Sequence, residues 1–372
     1  MKRPPFCPYR SCANHWIDRI PAAGTWFSKA GHYSCERCGR VQRYVCHSCG
    51  RRFSDSTFSI DYFAKRRISY HRLVSLVCSC VSIRAAARAL GTGPAAVSCR
   101  IARVARQAVA VHALVGEGLD LDEALVADGF QSFWVSQYCP NNFNLLVGER
   151  SQYVYALTAA TLRRSGRMSE AQRRRRTALE RLDRADRGEP LRRFEQLLMT
   201  ASELWAPLPP YARVLLTDEH QMYPRAVARL PFGSLTHRRV SSRMPRTTTN
   251  ALFAVNYLDR EIRKDLAEHR RETVCFARSA ALSLQRMWIY LVVHNCCKPY
   301  RISPKSPLTH AQMAGVRPAA VRKVLRHWLT QRAFLSRSAL SVSMLQVWMG
   351  MVHTPFSRDL INRRLTPAFA AA

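Results

Sequence analysis

Apolar residues recur at helical spacing in two neighbouring stretches of the chain, 82–91 and 94–106. The first stretch starts at Ser82, whose side chain can cap a helix, and ends at Gly91, a common helix stop. The second starts at Pro94, a residue well suited to a first helical turn. Their packed faces comprise Ile83, Ala86, Ala87 and Leu90 in the first, and Val97, Ile101 and Val104 in the second. The pattern predicts two helices joined by a glycine turn.

Farther along, short apolar runs typical of buried strands occur at 124–128, 144–147, 153–157 and 214–218, and the first is followed by a turn glycine, Gly129. Two of these runs end in an aspartate, Asp128 and Asp218. An amphipathic stretch, 254–269, then predicts a helix whose packed face comprises Val255, Leu258, Ile262 and Leu266. The charged segment at about 163–205 predicts an exposed helical insertion stabilised by ion pairs.

These patterns predict a multidomain chain with an α/β core. We expect a small β unit at 1–58, a helical region at 59–118, the α/β core at 119–300 and a helical tail at 301–372. A length of 372 residues fits two or three compact units better than one.

The balance of charge points to a polyanionic partner. The chain carries 58 basic and 25 acidic residues, a formal net charge of +33. Nucleic acid is the commonest partner for such a surplus. Arginine dominates over lysine, so codon bias contributes, but bias does not account for the shortage of acids. The start of the chain lacks an apolar leader and the run at 287–293 is too short to span a bilayer, so we expect a cytoplasmic, nucleoid-associated protein.

Six of the thirteen cysteines lie in the first fifty residues: Cys7, Cys12, Cys35, Cys38, Cys46 and Cys49. Short paired spacings of this kind suit a structural zinc ion held by four thiolates. The strongest pair is Cys46 with Cys49, because the glycine that follows permits the turn. Either Cys7 with Cys12 or Cys35 with Cys38 can supply the other two ligands.

Two helices joined by a glycine turn, the second with outward arginines, are typical of a helix-turn-helix that reads the major groove of duplex DNA. We expect Arg103 and Arg106 on the exposed face of the second helix, with Arg100 on its flank and Arg84 on the first helix. An ordinary helical hairpin would show the same pattern, but the neighbouring cysteine motif and the charge favour DNA contact.

Three acids suggest metal-dependent phosphodiester chemistry. Asp128 and Asp218 follow apolar strands, and Asp259 or Glu261 lies early in the predicted helix at 254–269. Mg²⁺ or Mn²⁺ prefers carboxylate oxygens, and two such ions can clamp both the attacking and the leaving oxygen of a phosphodiester. The helical wheel puts Asp259 on the flank nearer the sheet and Glu261 further toward solvent, which favours Asp259.

Taken together, the motifs CPYRSC, CHSCGRRFS, SIRAAARALG, LLTDEH and NYLDREIRKDL resemble bacterial insertion-sequence transposases with a DDE core of the RNase H and retroviral-integrase type. The resemblance covers most of the chain. It implies an N-terminal zinc ribbon, favours Cys7 and Cys12 as the second ligand pair, and makes Asp128 and Asp218 the first two catalytic acids. The family's third acid follows an Asn-x-x-Glu pattern, where this chain has Asn256-Tyr257-Leu258-Asp259.

The function implied by this resemblance is binding of transposon ends, followed by metal-dependent strand cleavage and strand transfer by a homo-oligomer on double-stranded DNA. A non-catalytic zinc-ribbon and helix-turn-helix regulator, or an inactive transposase derivative, is the alternative. The aspartate in place of glutamate at position 259 is the feature that keeps this alternative open.

Overall fold

A computed structural model describes residues 3–17, 26–36, 39–117, 119–230, 235–271, 273–358 and 365–371. Within these ranges the chain forms eleven α-helices, a three-stranded sheet near the N-terminus and a five-stranded sheet. The expected mixed α/β architecture is therefore confirmed. None of the helices in the described ranges combines the length and the apolar character needed to cross a bilayer.

The N-terminal sheet is antiparallel, in the order β1 (Phe27–Cys35), β2 (Gly39–Cys46) and β3 (Arg52–Ser54). It has a small core of its own, in which Trp26, Tyr44 and Phe53 pack beside buried cysteines. The unit lies against the segment 330–337 of the C-terminal region. The His15 ring and the Ser336 hydroxyl are hydrogen-bonded at 2.8 Å, and Phe6 packs on Phe334.

Three helices follow: α1 (Tyr70–Val77), α2 (Ile83–Ala89) and α3 (Pro94–Gly116). The Ser82 hydroxyl accepts a hydrogen bond from the backbone of Ala85, as expected of an N-cap. The second helix of the predicted pair, however, has 23 residues and is buried along most of its length, where it packs against α8, α10 and α11. It is a central helix of the main core and not a short surface helix.

The five-stranded sheet has the order β6-β5-β4-β7-β8, with β4 (Leu125–Phe133) in the middle. On one side, β5 (Pro140–Gly148) and β6 (Val154–Thr161) are antiparallel to their neighbours. On the other side, β7 (Val214–Asp218) runs parallel to β4, and β8 (Thr236–Val240) runs parallel to β7. The strand β4 continues past Asp128 because its pairing with β5 extends to Phe133, so this acid lies inside a strand and not at its end.

The remaining helices of the core are α4 (Glu170–Leu182), α5 (Glu189–Trp205), α6 (Met222–Val227), α7 (Phe253–Asp265) and α8 (Ala280–Cys296). The segment at about 163–205, predicted to be an exposed helical insertion, is exposed in α4 but not in α5. No residue of α4 is buried, whereas α5 packs against β5 and β6 through Phe194, Leu197, Leu198, Ala201 and Trp205. The helix α7 packs against β4 and β5.

The C-terminal region contains α9 (His310–Met313), α10 (Pro318–Trp328) and α11 (Val342–Met349). Trp328 and Trp348 are buried in the same core as α3 and α8. The tail is helical, as the sequence predicts, and it completes the packing around α3.

Candidate cysteine and carboxylate sites

Four cysteines converge at the base of the N-terminal sheet: Cys7, Cys12, Cys46 and Cys49. Their sulfur atoms all lie within 4.8 Å of one another, with Cys7 Sγ 3.8 Å from Cys49 Sγ and Cys12 Sγ 3.6 Å from Cys46 Sγ. A zinc ion bound tetrahedrally at about 2.3 Å would set its sulfur ligands about 3.8 Å apart. The thiols are therefore spaced as one metal ion requires.

The surroundings of this cluster favour thiolate over thiol at one position. The Asn14 side chain donates to Cys46 Sγ at 3.4 Å. Although burial acts to raise the pKa of Cys46, the Asn14 hydrogen bond and the backbone amides of Cys49 and Ser48 lower it to about 7. Gly50 has a φ of +66°, so the turn after the second ligand pair uses the freedom of a glycine.

Cys35, one of the rival ligand pair, lies away from this cluster. Cys35 is the last residue of β1 and pairs with Gly39 across the β1–β2 hairpin. It is not among the four clustered cysteines. Cys38 lies outside the described residues. The structure thus brings Cys7 and Cys12, and not Cys35, to Cys46 and Cys49.

Asp128 and Asp218 lie on adjacent parallel strands. The ladder between β4 and β7 pairs Leu125 with Leu215 and Val126 with Leu216. Continuing this register by two residues places Asp128 beside Asp218, on strands whose backbones are about 4.8 Å apart. Burial, with a contribution from the Asp218 carboxylate, raises the pKa of Asp128. The two acids therefore interact electrostatically.

Asp259 on α7 approaches Asp128 from the neighbouring helix. Side chains alternate along β4, so Asp128 shares a face with Phe130 and Ser132. Those two contact His269, which follows α7. Burial, together with the charge of Asp128, raises the pKa of Asp259 to about 8. Its Oδ1 atom is buried and has no hydrogen-bond partner.

The three aspartates are linked electrostatically through Asp128, but they do not form a tight cluster of ligand atoms. Among the described residues, only the four cysteines form a group of three or more ligand atoms that all lie within 4.8 Å of one another. Divalent ions held by these three acids would supply charge stabilisation for phosphodiester chemistry. Asp128 has the central place among the three aspartates, since it interacts with both Asp218 and Asp259.

Glu261, the rival third acid, faces other partners. Its carboxylate accepts hydrogen bonds from Lys264 at 2.7 Å and Lys298 at 3.2 Å. Burial acts to raise the pKa of Glu261, but the two ammonium groups outweigh it and hold the pKa below its usual value. The expectation that Glu261 points toward solvent is wrong: the residue is buried because it is neutralised within this ion-pair cluster.

Two further residues that interact with these carboxylates were not predicted from the sequence. The Tyr223 hydroxyl on α6 donates to Asp128 Oδ1 at 3.1 Å. Both Asp128 and Asp259 have a raised pKa, and the positive charge of Arg246 partly offsets that rise. Arg246 is exposed and lies in a loop. Neither belongs to a recognisable motif. Only the basic stretch before α7 offered a signal for Arg246, and nothing offered one for Tyr223.

The chain thus has two sets of candidate metal ligands of different chemistry, one of soft thiolates and one of hard carboxylates. No family model, curated protein or solved structure matches it. Any functional assignment therefore depends on the geometry of these two sites and on the sequence motifs.

The arginines expected to contact DNA mostly point inward. Arg106 is only 4% exposed and donates to the Leu365 carbonyl at 2.8 Å. Arg103 donates to the Ile60 and Tyr62 carbonyls, and Arg100 is buried against Asp61 at 3.4 Å. The structure corrects their expected exposure, because α3 is enclosed on several sides and its arginines cap carbonyls of neighbouring segments. Arg84 on α2 is exposed as expected.

Proposed function

We propose that this protein is a DDE-type DNA transposase that cuts and joins DNA with divalent metal ions. The observation that carries the proposal is that Asp128 interacts both with Asp218, on the adjacent parallel strand β7, and with Asp259, on the helix α7 that packs against β4. Acids gathered in this way from distant parts of the chain are typical of a metal-dependent nuclease site.

The topology of the five-stranded sheet supports an RNase H-like assignment of the core. Three antiparallel strands are followed in sequence by two parallel strands added at the opposite side of β4. The resemblance to DDE transposases requires the first acid on the first strand, the second acid on the parallel strand beside it and the third on a later helix. Asp128, Asp218 and Asp259 have these positions.

The carboxylates suit a hard cation. The unpartnered buried oxygen of Asp259, and the repulsion that Asp128 feels from Asp218, are both relieved when positive charge enters the site. Mg²⁺ or Mn²⁺ held by the three aspartates would supply charge stabilisation for in-line phosphoryl displacement. Tyr223 fixes the orientation of Asp128 through its hydrogen bond, and Arg246 lies where it can bind the scissile phosphate.

For the N-terminal unit we propose a structural zinc ribbon, with Cys7, Cys12, Cys46 and Cys49 as ligands. The tetrahedral spacing of the sulfurs and the hydrogen bond from Asn14 support it. Duplex DNA would contact α2 and the first turn of α3, where Arg84 and Arg88 are exposed. These exposed arginines replace Arg100, Arg103 and Arg106 in the proposed duplex contact.

The test is a nicking assay with a supercoiled plasmid that carries the gene and its flanking sequence, in Mg²⁺ or Mn²⁺. Asp128→Asn, Asp218→Asn and Asp259→Asn should each abolish cleavage and leave plasmid binding nearly intact. Asp122→Asn is the matched control, because this exposed acid precedes β4 and forms an ion pair with Arg150 at 2.6 Å on the surface. Cleavage that survives loss of Asp128 or Asp218 would overturn the proposal, and binding without any cleavage by the wild type would favour a regulator.

A further inference from the structure

A short turn between the ribbon and α1 presents an aromatic ring to solvent. Phe63 is 71% exposed, and its backbone has a φ of +56°. A bulky residue in this region is strained, and such strain persists only where surrounding contacts enforce it. The ring therefore stays exposed although both its apolar character and its backbone geometry disfavour that position.

The inward-facing arginines of α3 enforce this turn. Arg103 donates to the Ile60 carbonyl at 2.9 Å and to the Tyr62 carbonyl at 2.6 Å. Arg100 forms an ion pair with Asp61 at 3.4 Å, and Tyr70 donates to the same carboxylate at 2.9 Å. The segment 60–62 is thus held by charged hydrogen bonds from a core helix, and Phe63 follows directly.

Grooves lie on both sides of this ring. The larger, of about 980 Å³, runs along the ribbon, and the smaller, of about 480 Å³, reaches the first turn of α3. They share Phe63, Lys65 and Phe369, so the two grooves adjoin at this ring, and we refer to them together as the channel. Among the described residues that line them, Glu36 is the one acid, whereas Arg43, Arg52, Lys65 and Arg66 are exposed cations.

The aromatic rings in this channel form a cluster around Phe63. Its centroid lies 4.4 Å from that of Tyr62 and 5.6 Å from that of Phe369. Arg332 covers the rings of Tyr62 and Phe369, at 4.8 Å and 5.1 Å from their centroids. Among the described residues, no cation lies over the Phe63 ring in this way, and the high exposure of Phe63 leaves a face of the ring open to solvent. The exposed cations Lys65 and Arg66 follow within three residues.

We propose that this channel binds an unpaired strand of DNA, with a base stacked on Phe63 and the backbone held by Lys65 and its basic neighbours. Exposed rings beside a basic groove bind single strands because every base has a face that can stack, whereas the bases of a duplex are already stacked on one another. The stacking surface is independent of the carboxylate site. Only the choice of DNA over RNA rests on the proposed function.

The test uses full-length, zinc-loaded protein and fluorescence anisotropy with labelled oligothymidine, without added Mg²⁺ or Mn²⁺, so the outcome does not depend on cleavage. Phe63→Leu should weaken single-strand binding roughly 5- to 100-fold, and Phe63→Tyr should retain it. Tyr211→Leu, which removes another ring that is 82% exposed, is the matched control and should have no effect. Lys65→Ala should lower the salt dependence by about 0.7 in log–log slope, and Lys305→Ala should not.

A duplex of mixed sequence distinguishes this proposal from its rivals. Duplex affinity should be unchanged in Phe63→Leu. A loss confined to the duplex would mean that Phe63 acts as a wedge between base pairs, and it would overturn the proposal. Unchanged single-strand binding in Phe63→Leu would overturn it too, and tighter binding of oligouridine than of oligothymidine would overturn the choice of DNA. Thermal melting of each variant confirms that the fold is intact.

Discussion

Replacing Asp259 with asparagine should stabilise the metal-free protein while it removes cleavage activity. The substitution keeps the shape of the side chain and removes its negative charge. In the wild type the negative charge of Asp259 is disfavoured by burial and by the charge of Asp128, and the Oδ1 atom of Asp259 lacks a hydrogen-bond partner. An uncharged amide avoids this electrostatic cost, but it is a poorer ligand for a divalent cation.

The size of the effect follows from the pKa of Asp259, which rises from an ordinary 3.8 to about 8 in the folded protein. Between these values the folded state holds a proton that the unfolded state has lost, so stability falls as pH rises from 3.8 to 8. Each tenfold difference in proton affinity is worth about 1.4 kcal/mol. At pH 7 the wild type therefore loses up to about 4 kcal/mol, and at pH 5 up to about 2 kcal/mol.

Urea unfolding of zinc-loaded protein at pH 5 and pH 7 measures this difference. Asp259→Asn should be more stable than the wild type, by a margin that grows with pH. The matched control is Glu261→Gln, two residues away on the same helix, which should destabilise by about 1–3 kcal/mol because Lys264 and Lys298 each lose one of their two carboxylate partners. If Asp259→Asn is less stable than the wild type at pH 7, or if its advantage shrinks between pH 5 and pH 7, the reasoning about this site is refuted.

Three further predictions concern the rest of the molecule. Metal analysis should find one zinc per chain, lost in Cys46→Ser and retained in Cys35→Ser; the reverse result would reassign the ligands. Burial lowers the pKa of His112 to about 4, so the contribution of this residue to the unfolding free energy should fall by up to about 3 kcal/mol between pH 6.5 and pH 4; the difference between the wild type and His112→Phe over this range measures it. Arg106→Met should alter thermal stability, because the guanidinium of Arg106 is buried, and it should leave the salt slope of duplex binding unchanged. A lower slope in this variant would mean that Arg106 does contact a DNA phosphate.

Local sequence signals predicted the features that local chemistry determines. Cysteine spacing predicted a metal-ligand cluster, and the order Asp128, Asp218, Asp259 came from apolar runs that do form β4, β7 and α7. The strand β4 was expected to stop at Gly129 because glycine often begins a turn. Instead its pairing partner β5 carries the ladder on to Phe133, and no local signal reports the length of a partner strand.

The orientation of the α3 arginines could not be read from the sequence, because a helical wheel assumes one buried face. The apolar stripe through Val97, Ile101 and Val104 is buried as expected. Other faces are also covered, by helices that occur far later in the chain. Arg106 finds its acceptor at Leu365, 259 residues away. Contacts of this range decide which charged residues of a basic protein reach solvent and which become structural.

The docking of the ribbon on the segment 330–337 also has a consequence for biosynthesis. His15 and Ser336 are 321 residues apart, and a ribosome adding 5–20 residues per second needs roughly 16–64 s to make that interval. The four cysteines are all present within the first 49 residues, long before their docking surface exists. The N-terminal unit, with its four cysteines and its own small core, is therefore synthesised well before the surface on which it docks. Truncation near residue 330 would remove that docking surface and leave the unit joined to the rest of the protein only through the chain that follows it.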